Sequence, residues 1–133
     1  MTATSRILLD TSVLIDIESV DLGAYASTPA ALSTVTIAEL SYGLDVDDPV
    51  ERLIRTERLE WALTDYQILP FDVATARLYG TLASLVRRNG RNPRPRRLDL
   101  QIAATAGVHG LPLLTRNPGD FADVVRVVDV VEI

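Results

Sequence analysis

The chain has 133 residues, 47% of them hydrophobic and none of them cysteine, and its formal net charge is −5. That length suits a single domain, 1–133, with an ordinary core. It excludes a disulfide frame or thiolate metal site, and no apolar run approaches the roughly 20 residues of a bilayer span. The acidic balance by itself argues against a nucleic-acid partner. MTATSRILLD lacks the long apolar stretch of a signal peptide, so the expected location is the cytoplasm.

In chain order, Ile7–Leu9 reads as a buried parallel strand ending at Asp10, and a helix starts at Val13-Leu14-Ile15, capped by Asp10 or Ser12. Ala31–Val35 is a second strand, and Thr36 opens a helix that carries Glu39 and ends near Gly43. After a polar turn, Asp45–Pro49, a helix is expected over Val50–Leu63, with Glu51 and Arg55 spaced to pair. Gln67–Leu69 is a third strand. Asp72 then caps a helix from Val73 to about Asn89, with Ala76, Leu78, Tyr79, Leu82 and Val86 on or near its buried face. Gly90–Arg97 reads as a loop, Asp99–Val108 as a helix stopped by Gly110, Leu113–Leu114 as a fourth strand, and Val124–Val130 as a last β-branched segment. Strands alternating with helices imply a parallel sheet covered on both faces.

Four acidic residues stand where a strand or turn hands over to a helix: Asp10, Glu39, Asp99 and Asp120. Active sites of open parallel sheets lie beyond the carboxyl ends of the strands, where these four can converge. Like charges so placed repel unless a cation sits among them, and a hard divalent ion, Mg²⁺ or Mn²⁺, meets that need with oxygen ligands. Such an ion makes bound water easier to deprotonate and offsets charge on phosphoryl oxygens, so the set points to phosphodiester cleavage. The plainer reading of Asp10 and Asp99 is helix capping. Glu39 resists that reading because Ile37, Ala38 and Leu40 around it are apolar. Asp72 fits a cap, Asp16 a supporting or surface position, and the one histidine, His109, a helix-end residue.

All 13 basic residues are arginines, and six of them (Arg87, Arg88, Arg91, Arg94, Arg96 and Arg97) fall just before Asp99. They read either as a solvated loop or as a phosphate-guiding rim that binds RNA. Phosphoacceptor receivers and haloacid-dehalogenase-type phosphatases share an acidic pocket but need a lysine, and this chain has none. Neither GxGxxG nor GxxxxGK[ST] occurs.

ILLDTSVLID, TIAEL, DLQIAATA and LLTRNPGDF, in that order, resemble the motifs of PIN domains, specifically the VapC-type toxin ribonucleases of type II toxin–antitoxin pairs. The resemblance implies a PIN-like three-layer α/β/α sandwich with a central parallel sheet. It makes Asp10, Glu39 and Asp99 the core metal ligands and catalytic acids, with Asp120 as the fourth and Asn117 as its rival. Thr11, Ser12 and Thr115 would orient water or substrate phosphate, and Arg116 would hold a phosphate or an internal carboxylate. The implied activity is a Mg²⁺- or Mn²⁺-dependent endoribonuclease that cleaves structured RNA, tRNA or rRNA, by metal-activated water and so inhibits translation. The implied partners are a second copy of the chain and a VapB-like antitoxin, together forming a hetero-oligomer. Leu53, Ile54, Leu59 and Trp61 are candidates for the antitoxin groove, with core packing as the other reading. Two alternatives stand beside this: an RNA-processing PIN nuclease without antitoxin, and a non-catalytic PIN-like module that binds RNA or protein.

Overall fold

A computed structural model describes residues 6–133. The signal-peptide argument therefore rests partly on residues 1–5, outside the described residues. The strands are β1 (Ile7–Leu9), β2 (Ala30–Ser33), β3 (Gln67–Leu69), β4 (Leu113–Thr115) and β5 (Val130–Glu132). The helices are α1 (Thr11–Ile15), α2 (Thr34–Tyr42), α3 (Pro49–Asp65), α4 (Val73–Arg88) and α5 (Arg97–His109). The sheet is parallel throughout in the order β3-β2-β1-β4-β5.

The strands alternate their side chains between two cores, although β1 reads as an unbroken apolar run. Leu8, Ala31 and Leu113 face α4, α5 and the 3₁₀ segment Pro118–Val124. Ile7, Leu9, Leu32 and Leu114 face α1, Leu40 of α2 and Ala62 of α3. Leu8, Leu9, Leu32, Leu113 and Leu114 are fully buried, and each such side chain contributes about 2 kcal/mol relative to exposure. The result is the expected α/β/α sandwich. Among the described residues no helix is long and apolar enough to cross a membrane.

The strand order decides where a site can form. From β1 the chain winds outward to β2 and β3, then crosses back to β4 on the other side of β1. The carboxyl ends of β1 and β4 therefore flank the point where the winding reverses, the usual crevice of such sheets.

Several boundaries differ from expectation, two of them because a side chain caps the backbone early. α1 begins at Thr11 because Asp10 accepts from the Thr11 amide. β2 stops at Ser33, whose hydroxyl accepts from the Val35 amide, so α2 starts at Thr34. The arginine loop tightens into a 3₁₀ turn at Arg94–Arg96 and α5 starts at Arg97. On α4, Thr75 is buried whereas Ala76 is exposed. Val124–Val130 is not a strand along its length: its start closes the 3₁₀ segment and β5 pairs only from Val130. Gly110 ends α5 with φ +64°, in the left-handed region that a side chain disfavours.

Candidate active site

Asp10, only 6% exposed, anchors the crevice. Its two oxygens have separate duties. Oδ1 accepts from the Thr11 amide at 2.9 Å and caps α1. Oδ2 accepts from Ser12 Oγ at 3.1 Å and from Thr115 Oγ1, at the end of β4, at 2.9 Å. Capping and a site role are therefore compatible in one side chain.

Glu39 projects from α2 toward the same place. Thr11 Oγ1 donates to Glu39 Oε1 at 2.8 Å and lies 2.9 Å from Thr36 Oγ1. A hydroxyl has one proton, so Thr11 donates to Glu39 and accepts from Thr36. Thr36 is fully buried and sits one turn before Glu39, so the two share a helix face. Sequence reading missed Thr36; its signal was the three-residue spacing to Glu39.

Asp99 lies in the first turn of α5 and Asp120 in the 3₁₀ segment after β4. Burial first, then the charges of Asp10, Asp120 and Glu39, push the Asp99 carboxyl up to about 6, with Arg96 opposing. Burial raises Asp10 against the hydrogen bonds from Thr115, Ser12 and Thr11, with Asp120 adding to the rise. Burial likewise raises Glu39, opposed by the Thr11 hydroxyl, with Asp10 adding to the rise. The four carboxylates thus share one electrostatic neighbourhood. Arg96 forms an ion pair with Asp120, and its guanidinium is driven further toward the charged form by that bond.

Among the described residues, no three acidic or histidine side chains are drawn tightly enough to enclose an ion unaided. The hydrogen bonds explain the spacing: Asp10 is held by Thr11, Ser12 and Thr115, Glu39 by Thr11, and Asp120 by Arg96. Mg²⁺ commonly takes only one or two direct carboxylates and keeps several waters. An all-oxygen donor set, partly buried and with a raised carboxyl, fits a hard divalent ion.

The remaining expected residues spread more widely. Arg116 pairs with Asp16, so its guanidinium holds an internal carboxylate. Asn117 is exposed and its amide donates to Thr115 Oγ1 at 3.0 Å, which turns the chain after β4. Of the arginine group, Arg91 pairs with Asp123 at 2.5 Å and Arg97 donates to the Arg94 carbonyl at 3.0 Å. Arg87 and Arg88 line a separate hollow on α4 with Ser84. Asp72 caps α4 through the Thr75 amide, and His109 ends α5. Leu53, Ile54 and Trp61 are exposed on α3, whereas Leu59 packs against the core. Ile54 and Trp61 line a cavity of about 330 Å³ between α1 and α3 with Leu14, Ile15 and Ile17 and the charged residues Glu18, Glu57 and Arg58.

Comparison with known proteins agrees with this fold. The PIN-domain profile matches residues 7–127. Ribonuclease VapC5 of Mycobacterium tuberculosis is 37% identical over 119 residues, which span 86% of this chain and 84% of that protein. The crystal structure of VapBC-5, a toxin–antitoxin system from M. tuberculosis, superposes with a TM-score of 0.76 at 32% identity, covering 97% of this chain and 98% of that one. FitAcB from Neisseria gonorrhoeae gives 0.72 at 30% identity, covering 93% and 95%.

Proposed function

The chain belongs to the PIN-domain family, among the VapC-type toxins, and on that premise we propose that it is a Mg²⁺- or Mn²⁺-dependent endoribonuclease. The observation that carries the reading is the set of four carboxylates at the reversal of the sheet, with Asp99 raised to about 6. A binding module gains nothing from that repulsion; a centre that takes a cation does. In this reading one or two of Asp10, Glu39, Asp99 and Asp120 would ligate the ion directly and the others would hold its waters.

A bound divalent ion supplies Lewis acidity and makes water easier to deprotonate. The chain's own groups supply position. Thr115 and Ser12 fix Asp10 Oδ2, and Thr11, backed by Thr36, fixes Glu39 Oε1. Glu39 Oε2 and Asp99 are left to orient the attacking water against the phosphodiester. Water adds to phosphorus as the bond to the 3′ oxygen breaks, and that oxygen leaves with a proton. The products carry 5′-phosphate and 3′-hydroxyl ends.

The substrate proposed is structured RNA, tRNA or rRNA, whose loss stops translation and places the protein in the cytoplasm. The structural relatives are toxin–antitoxin complexes, and an antitoxin is the partner proposed here. Its segment would lie along the cavity at Ile54 and Trp61, whose wall also carries Glu18, Glu57 and Arg58, and bring a basic side chain to the carboxylates, in place of metal. A homodimer is proposed for the free toxin.

The test is cleavage of total cellular RNA by the purified chain with Mg²⁺, Mn²⁺ or EDTA, beside Asp99→Asn. Discrete fragments that need metal and vanish in the variant are expected. Equal cleavage by the variant would sink the assignment.

A further inference from the structure

A second cavity meets the carboxylate group at Glu39 and Thr11 and lies between α1, α2 and α3. It encloses about 400 Å³ and is also lined by Ile15, Leu40, Gly43, Glu51, Arg55 and Arg58. A volume at the low end of the ~300–1,000 Å³ of small-ligand sites suits one nucleotide. Its two cations differ in kind. Arg55 is committed: Nε donates to Glu51 Oε1 at 2.9 Å and Nη1 to the Gly43 carbonyl at 2.8 Å. Arg58, three residues on and on the same helix face, is half-buried and has no hydrogen bond or ion pair among the described residues. A guanidinium uncommitted within the chain is free to take an external acceptor, and its forked donors match a phosphate.

We propose that this cavity is the subsite for the nucleotide next to the cleaved bond of a single-stranded RNA segment, with Arg58 binding its phosphate and Ile15 lying against its base. The inference rests on the nuclease reading above and adds the side of the site on which the strand continues. RNA is favoured over a peptide because the cavity shares Glu39 with the carboxylate group. A strand whose scissile phosphate sits there brings its next phosphate one nucleotide along, into the cavity that Arg58 lines. Ile15, 43% exposed, is the apolar surface within reach of a base. Arg55, held by Glu51, shapes the wall and is not the phosphate ligand.

The test uses the Asp99→Asn chain, so that binding is read without cleavage. Anisotropy of a fluorescein-labelled, mixed-sequence, single-stranded RNA is followed across a salt series in Mg²⁺. Arg58→Gln should weaken binding about tenfold and lower the salt slope by about 0.7, the loss of one phosphate contact. Arg58→Lys should recover most of the affinity and guards against a folding defect, which thermal melts of each variant also report. Arg77→Gln, on α4 at the other face of the sheet, should match the parent. Mg²⁺ affinity by calorimetry should not change in Arg58→Gln. Unchanged RNA affinity and slope would overturn the subsite, as would loss of a protein partner alone, which would make the cavity part of a protein interface. A parent that cleaves RNA beside an Arg58→Gln chain with equal KM removes the subsite only; a parent that neither binds nor cleaves RNA removes both readings.

Discussion

Thr115, the last residue of β4, donates its hydroxyl to Asp10 Oδ2 at 2.9 Å, across 105 positions of sequence. β1 and β4 are hydrogen-bonded neighbours, and the Asp10 amide donates to the Leu114 carbonyl at 3.0 Å, so the pairing of two strands sets this bond. Thr115 is fully buried and Asp10 nearly so, so the bond satisfies a polar group on each side away from water.

Thr115→Val keeps the shape and removes the donor. Stability should fall by about 1 kcal/mol, the usual effect of losing one buried hydrogen bond. The Asp10 carboxyl, already raised by burial, should rise further. Urea denaturation and the pH profile of cleavage check both, with the acid limb moving to higher pH.

Asp99→Asn should abolish cleavage and stabilise the metal-free fold. Removing a charge that repels Asp10, Asp120 and Glu39 is favourable, although helix α5 loses an acidic residue in its first turn. Because Asp99 is only half-buried, the net gain is on the order of 1 kcal/mol after allowance for solvent screening. A higher Tm than the parent in EDTA, reversed on adding Mg²⁺, is the expected result.

Stability of the metal-free protein should fall as pH rises from about 4 to about 6. In that range the unfolded chain has lost the Asp99 proton while the folded chain still holds it, so the folded state binds more protons and loses ground as they leave. Below the unfolded value the penalty vanishes, and above about 6 it is complete. Mg²⁺ binding needs the carboxylate, so its affinity should weaken as pH falls through 6. Thermal melts with and without Mg²⁺ between pH 4 and 8 read both slopes.

Arg96→Gln removes the cation that Asp120 holds while leaving the four carboxylates in place. At pH 7.5 the variant should bind Mg²⁺ a few-fold more tightly, because the ion no longer shares Asp120 with a guanidinium. Its metal-free form should melt at a lower temperature than the parent. Calorimetric titration with Mg²⁺ checks the first outcome and melting in EDTA the second; unchanged affinity would show that Arg96 does not compete.

Which parts of the site were readable follows from how local each signal is. Strand ends and helix starts depend on runs of a few residues, so Asp10, Glu39 and Asp99 were legible at their junctions. Helix starts were read one or two residues late because Asp10 and Ser33 cap through side-chain bonds that apolar periodicity does not register. The arginine group reads in sequence as one basic rim, yet Arg91 and Arg96 pair with Asp123 and Asp120, residues far along the chain. Thr36 was missed because a threonine on a helix becomes informative only once its hydroxyl meets another.

The sequence by itself determined the alternation of strands and helices, the buried runs and the acidic junctions, since hydrophobic period and capping chemistry act over neighbouring residues. The tertiary structure decided which of these meet. The order β3-β2-β1-β4-β5 sets the ends of β1 and β4 side by side, and only then do Thr115 and Asp10 bond and the carboxylates repel. Packing α3 against the α1 side of the sheet likewise puts Arg58 and Glu39 on the wall of one cavity. Contacts between distant segments depend on strand order and helix packing, which no local pattern encodes.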